Sequence, residues 1–307
     1  MAILFLLTEW FLYSNRAELI DDYWNKFLIN EHVLIDMPGD YDYLIMGDSV
    51  QKTGINPILV SEDILNLGLP GAKPMGQFLM LERYLKKHKP PKAIFLFVDP
   101  ERSYDSLLVI LRYFVDMPEF VSIWGDLNWE ERRCFMMRYW ASLDEREVRR
   151  VERDKYGQSN AVFINDMEKT HGYMPSPRAN VAIGDTYFTE HTERYQKRIS
   201  ISKEDMKYLD KFMKLASSND IKVVFLGFVV PTELHRILEK SGFNTDYLIF
   251  FRALQRVYPE AIFVDRPILH LENKYFGDMS HLNKEGSSVY AEYFKILFYS
   301  LRNGGAI

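Results

Sequence analysis

Apolar residues along the chain gather in short unbroken runs, separated by longer stretches in which they recur every three or four positions. The run at 41–49, YDYLIMGDS, follows the turn signal Met37-Pro38-Gly39-Asp40 and stops at Gly47-Asp48-Ser49, which predicts a buried first strand. Residues 64–71, ILNLGLPG, close a second run with two glycines and a proline, which predicts a strand and a tight loop. Met75, Phe78, Leu79 and Leu85 then keep helical spacing. Lysines at 86, 87 and 89 load the last turn of that helix, and Pro90-Pro91 end it. Residues 93–98, AIFLFV, predict a third strand that runs out at Asp99-Pro100.

Unbroken apolar strands are covered on both faces, so strand, helix and strand of these lengths predict a parallel sheet between helical layers. The order breaks over 101–200, which is rich in aromatic and charged residues and shows one polar helix at 143–155, stopped by Gly157. Around 171–177, HGYMPSP, the pattern is that of a loop. We read 101–200 as a mostly helical inserted cap at the C-terminal end of the third strand, where α/β folds place ligand crevices. Alternation resumes with a strand at 221–230, a helix holding Leu234, Ile237 and Leu238, another over 245–257 and a short strand at 261–264. Asn283 suits the N-cap of a last helix carrying Val289, Tyr293, Ile296, Leu297 and Leu301 on one face. The expected fold is α/β, a flavodoxin-like three-layer parallel sheet. Its core comprises 39–100 and 201–307, with 101–200 inserted and 1–38 an N-terminal helical segment.

That N-terminal segment leaves two readings open. Residues 2–13, AILFLLTEWFLY, are apolar but contain Glu9 and lack a basic start and a small-residue cleavage site. They are too short to cross a bilayer alone, so they read either as a first helix packed on the domain or as the tail of a membrane anchor. Composition narrows the partners. At 307 residues and 47% hydrophobic, the chain can bury a large core and is not a disordered protein. A net charge of −5, with basic runs interleaved with acids, gives no general attraction to nucleic acid. The single cysteine, Cys134, excludes an internal disulfide and any cysteine-based metal site.

Ser49, at the end of a strand, is a candidate nucleophile, and a serine hydroxyl needs a base, a group to orient that base and donors for an oxyanion. Gly47-Asp48-Ser49 after the first strand, a glycine loop after the second and Asp278-x-x-His281 before the last helix resemble the SGNH/GDSL hydrolase superfamily. The long insertion and the segments NLGLPG and GDMSHLN are more similar to its divergent cell-envelope branch. That branch includes the D-alanyl-lipoteichoic-acid biosynthesis protein and uncharacterised spirochaetal proteins. The resemblance covers 41–100 and about 220–302, which excludes the insertion and the N-terminus.

The resemblance implies Ser49 as nucleophile, His281 as general base and Asp278 as the group that holds the imidazole. It implies the Ser49 and Gly71 N–H groups as oxyanion donors, and neither cofactor nor metal. A carboxylate three residues before a histidine on a turn can accept the Nδ1 proton and leave Nε2 for the serine. By resemblance, the activity is that of a serine esterase or O-acyltransferase acting through an acyl-serine. Its substrate is then an acylated carbohydrate or lipid-linked group of a cell-envelope glycan or glycolipid, and a membrane-bound acyltransferase is an expected partner. The expected location is the cell envelope, periplasmic or membrane-associated. One block departs from the family. Where an asparagine donor usually follows the third strand, this chain has Asp99, and a carboxylate there repels an oxyanion. Losing one such donor typically costs about a hundredfold to a thousandfold in rate. Asn66 and Arg102 are the candidate substitutes, and the competing reading is a non-catalytic binding or assembly protein of the envelope.

Other motifs carry less. No G-x-S-x-G is present, which argues against an α/β-hydrolase. His270, Glu272, Asp278 and His281 lack the spacing of a metal site. His171 and His191 read as surface or core-edge residues. Trp124, Trp129, Trp140, Tyr173 and Tyr187 read as packing, some of them lining an acyl or sugar site. If the motifs are accidental, the Ser49 hydroxyl lies more than about 5 Å from the His281 imidazole.

Overall fold

A computed structural model describes residues 7, 8, 10, 11, 39–99, 111, 114, 115, 117–137, 167–176, 180–184, 199 and 202–307. The expectations for 16–35, 143–155, Arg102, Trp140, Tyr187 and His191, and most of those for 2–13, lie outside these residues. Among the described residues no helix is long and apolar enough to cross a membrane.

The elements in chain order are β1 Tyr43–Met46, α1 Ser49–Gly54, β2 Ile64–Asn66, α2 Pro74–Lys87 and β3 Ala93–Leu96, followed by α3 Met117–Ile123 and α4 Trp129–Met136. Then come α5 Lys203–Ser218, β4 Lys222–Phe225, β5 Phe228–Pro231, α6 Thr232–Ser241, α7 Phe243–Val257, β6 Ile262–Phe263, β7 Ile268–Leu271 and α8 Lys284–Asn303. They group into two compact units, Met1–Met37 with Ser103–Glu168, and Pro38–Arg102 with Lys169–Ile307. The second unit therefore takes up the chain again at 169, earlier than the expected return at 201.

In the first unit, a reciprocal cap starts α4. Asn128 Oδ1 accepts from the Glu131 N–H at 3.0 Å, and Glu131 Oε2 accepts from the Asn128 N–H at 2.7 Å. Phe120 and Phe135 stack at 3.7 Å between centroids and join α3 to α4. Trp129, expected to pack, is 65% exposed, because the first turn of α4 presents it outward.

The second unit is an α/β assembly. β2-β1-β3-β4-β6 form one sheet in that order with every neighbouring pair parallel, an arrangement compatible with a flavodoxin-like fold. Leu44, Ile45, Ile94, Phe95 and Leu96 are fully buried, as two-sided cover requires. Tyr43 and Phe95 each meet α8 edge to face at 4.8 Å, through Phe298 and Phe294 respectively. On the opposite face, Phe225 pairs in register with Leu96 and stacks on Tyr258, whose hydroxyl bonds Asp210 of α5. Phe78 of α2 packs on Tyr208 of α5 in the same layer.

Two expectations are corrected. The single strand at 221–230 is two: β4 stays in the main sheet, and β5 leaves it to pair in parallel with β7, a strand the pattern did not show. The break falls at Gly227, where an added Cβ would stand 2.4 Å from the Pro267 carbonyl oxygen, so the chain turns where only glycine fits. The buried face of α8 is Ser287, Tyr290, Ala291, Phe294 and Phe298, whereas Tyr293 and Ile296 are exposed. The helix is apolar on more than one face, and periodicity alone does not choose between them. Residues 49–54 form the short helix α1.

Gly227→Ala is expected to lower unfolding stability by about 3 kcal/mol, because the Pro267 backbone cannot retreat without breaking the β5–β7 pairing. A shift of the urea midpoint at unchanged slope measures this.

Candidate active site

Ser49 stands at the first position of α1, directly beyond the C-terminal end of β1. Asp48 is in extended conformation and caps the helix, its Oδ1 accepting from the Val50 N–H at 2.8 Å. This turn lifts the Ser49 side chain out of the sheet while its backbone stays fixed to β1.

His281 arrives from the other end of the chain on a tight loop. Phe276 and Leu282, both buried, form an antiparallel bridge, and the Gly277 N–H donates to the His281 carbonyl at 2.9 Å. Inside the loop Asp278 Oδ1 accepts from the Ser280 and His281 N–H groups at 2.9 and 2.8 Å. The loop is anchored by α8: Asn283 caps it, accepting from the Gly286 N–H at 2.9 Å, and its amide donates to the Lys274 and Val181 carbonyls. Ser287 in the first turn of α8 donates to the Gly54 carbonyl at the end of α1, which ties the histidine's support to the serine's.

The two arms meet. Ser49 Oγ lies 2.8 Å from His281 Nε2, and His281 Nδ1 lies 2.9 and 3.0 Å from the two Asp278 oxygens. The Ser49 hydroxyl is thus within hydrogen-bonding range of the imidazole, not beyond about 5 Å as accidental motifs would place it. All three residues are half-buried, so the serine is fixed but open to a ligand. Burial works to raise the Asp278 carboxyl, but the His281 ring and the two loop N–H groups outweigh it and hold the pKa at about 2. Asp278 is thus an anion at any neutral pH, suited to fix Nδ1–H and leave Nε2 as acceptor for the serine proton.

Beside Ser49 runs the loop after β2. Leu67 N–H donates to Ile45 O and Leu69 N–H to Gly47 O, which continues the parallel ladder past β1. Gly68 is pressed so close that an added Cβ would stand 2.9 Å from the Lys52 nitrogen. Gly71 follows with φ of 73°, the left-handed region that glycine enters without strain. Neither the Ser49 N–H nor the Gly71 N–H has an acceptor among the described residues, as an oxyanion donor must be before substrate arrives.

Asn66, a candidate substitute donor, does not serve. Its two amide hydrogens go to the Gln51 and Ile55 carbonyls, both at 2.9 Å, and its oxygen accepts from the Gly68 N–H. The side chain is fully buried and has no hydrogen left to give. Asp99, at the end of β3, is not a bare carboxylate: Lys73 Nζ sits 2.8 Å from its Oδ2, and sequence reading did not single out this lysine. Among the described residues, no group of three or more His, Cys, Asp or Glu side chains is placed to hold a metal ion. His270 instead bonds Thr232 and packs on His235, and Glu272 pairs with Lys274. His171 lies in the second unit, its carbonyl accepting from the Asn66 N–H. Tyr173 is buried there, and burial raises its hydroxyl pKa.

Two charged groups sit where burial works against them. Burial first, and Asp99 second, push the Asp48 carboxyl up to about 6. Burial alone lowers Lys52 to about 7; among the described residues its ammonium has one long hydrogen bond, 3.4 Å to the Asn66 carbonyl.

Compared with known proteins, the sequence matches no family model and no curated protein.

Asp48 carries a signed stability prediction. Its folded pKa lies above the unfolded value of 3.8, so its contribution is fully present below about pH 4 and lost as pH rises through about 6. Asp48→Asn keeps an acceptor for the Val50 N–H and removes the buried charge. The variant is expected to match the wild type near pH 3.5 and to exceed it by about 1–3 kcal/mol at pH 7.5. Urea unfolding at the two pH values checks this.

Proposed function

We propose that this chain is a serine esterase or O-acyltransferase working through an acyl-Ser49 intermediate. The observation that carries the reading is the continuous Ser49–His281–Asp278 hydrogen-bond chain at 2.8 and 2.9 Å, assembled at the C-terminal end of a parallel sheet. Ser49 Oγ attacks an ester carbonyl carbon while His281 Nε2 takes its proton. The carbonyl oxygen becomes an oxyanion facing the Ser49 and Gly71 N–H groups. The bond to the leaving oxygen then breaks, and that oxygen takes the proton from His281. A water or sugar hydroxyl, deprotonated by the same nitrogen, attacks the acyl-serine and frees the enzyme.

The family in this reading is the SGNH/GDSL superfamily, supported by the placement of the Gly-Asp-Ser, glycine-loop and Asp-x-x-His segments on the expected ends of a flavodoxin-like sheet. Residues 101–200 are its inserted cap in this reading. The likeness of NLGLPG and GDMSHLN to the envelope branch supports an acylated envelope glycan or glycolipid as substrate, in the envelope and beside a membrane-bound acyltransferase. Asp99 in place of the family's asparagine is what favours the second reading, a binding or assembly protein that kept the fold.

A fluorophosphonate probe separates the two. Ser49→Ala is expected to abolish labelling and His281→Ala to slow it at least about a hundredfold, both with wild-type circular dichroism. A folded wild-type protein that takes up no probe would overturn the esterase reading and leave the binding one.

A further inference from the structure

The sheet order β2-β1-β3 puts the end of β1, with Ser49, between the ends of its two neighbours. Ser49 and Asp99 each lie three residues past the last paired residues, Met46 and Leu96, so they leave the sheet at one level on adjacent strands. Lys73 comes from the other side, two residues after Gly71 and immediately before α2, on the chain that leaves β2. Its ammonium meets the Asp99 carboxylate at 2.8 Å, which joins the chain leaving β2 to the end of β3, with β1 between them in the sheet. The next residue on that helical face, Gln77, donates to the Phe97 carbonyl just past β3 at 2.8 Å. The Asp48 carboxyl, between them, feels the charge of both Asp99 and Lys73.

The ion pair is largely withdrawn from water, with side-chain exposures of 6% and 19%. Such pairs seldom add net stability, because desolvating two charges costs about what their attraction returns. A buried pair that spans a reactive turn has another use. We propose that Lys73 and Asp99 form a positioning clamp that holds the Gly71 loop over Ser49, so that the Gly71 N–H stands preorganised as an oxyanion donor. The catalytic part of this inference rests on the acyl-serine reading; the mechanical part does not. It also accounts for an aspartate where an asparagine was expected. Asp99 does not meet the oxyanion, and through Lys73 it fixes the loop that does.

The test uses the doubly neutral variant Lys73→Met with Asp99→Asn, which removes both charges of the pair, alongside Lys73→Arg, which keeps it. Two readouts are taken on each. The first is hydrogen exchange at the Leu69 and Ala72 amides, which bond to Gly47 and Leu69 carbonyls and so report whether the loop is held. The second is fluorophosphonate labelling resolved into maximal rate and half-saturating probe concentration. The double variant is expected to unfold at or above the wild-type temperature, to exchange those amides at least about tenfold faster and to label about ten- to a hundredfold more slowly at unchanged half-saturation. Lys73→Arg is expected to recover most of both. Wild-type exchange in the double variant overturns the clamp whatever the labelling rate, and wild-type labelling overturns its link to the oxyanion site. If the wild type itself does not label, the esterase reading fails by itself and the exchange result alone decides the clamp.

Discussion

The Asn66 side chain makes three hydrogen bonds to backbone, donating to the Gln51 and Ile55 carbonyls and accepting from the Gly68 N–H, and all are shut away from water. Removing one side of a buried bond leaves its partner desolvated and unpaired, at about 1–3 kcal/mol each. One carbonyl belongs to α1, which starts at Ser49, the other to the Ile55 that caps its end, and the N–H to the loop that ends at Gly71. One amide thus couples the helix bearing the candidate nucleophile to the loop bearing a candidate donor. The Asn66 backbone extends the coupling, since its N–H donates to the His171 carbonyl and Met174 N–H donates to the Lys52 carbonyl. The geometry at Ser49 therefore follows from satisfying buried backbone groups a few residues away from it.

Three carboxylates crowd the end of β1, and each is accommodated differently. Asp278 is surrounded by N–H donors and the His281 ring and stays ionised far into acid. Asp99 is matched by a buried ammonium. Asp48 accepts from one backbone N–H among the described residues, and burial and Asp99 together outweigh it, so its proton is held more tightly. Lys52 is strained in the opposite sense beneath them, with desolvation favouring its neutral form. Folds commonly hold unfavourable charge placements where chemistry is to be done, and they recover the cost from the surrounding core.

Local features of the site were legible from the sequence and contacts at a distance were not. Asp278-x-x-His281 is a turn whose internal bonds depend on residues three apart, and Ser49 follows an apolar run whose end the glycine marks. Asn66 was weighed as an oxyanion donor because the groups that saturate its amide lie 11 and 15 residues earlier, inside a short polar segment that shows no helical period. Lys73 escaped notice because its partner is 26 residues away and nothing in a lysine before a helix announces an ion pair. The same limit explains β5 and β7. Leu226-Gly227 looks like the middle of one strand until the Pro267 carbonyl, forty residues on, occupies the space a side chain would need. In α8, where apolar residues surround the axis, which face is buried is decided by Tyr43 and Phe95 on the sheet.

The hydrogen bond between Ser49 and His281 joins positions 232 residues apart. A ribosome adds about 5–20 residues per second, so about 10–50 s pass between emergence of the serine and emergence of the imidazole. Throughout that interval β1, α1 and the glycine loop can fold on local and neighbouring contacts, yet the serine has no base. The segment 276–303 supplies both the His281 loop and α8, which covers one face of the sheet. Closure of the core and arrival of the base are therefore a single event, and a growing chain holds its serine without a base until the sheet is complete.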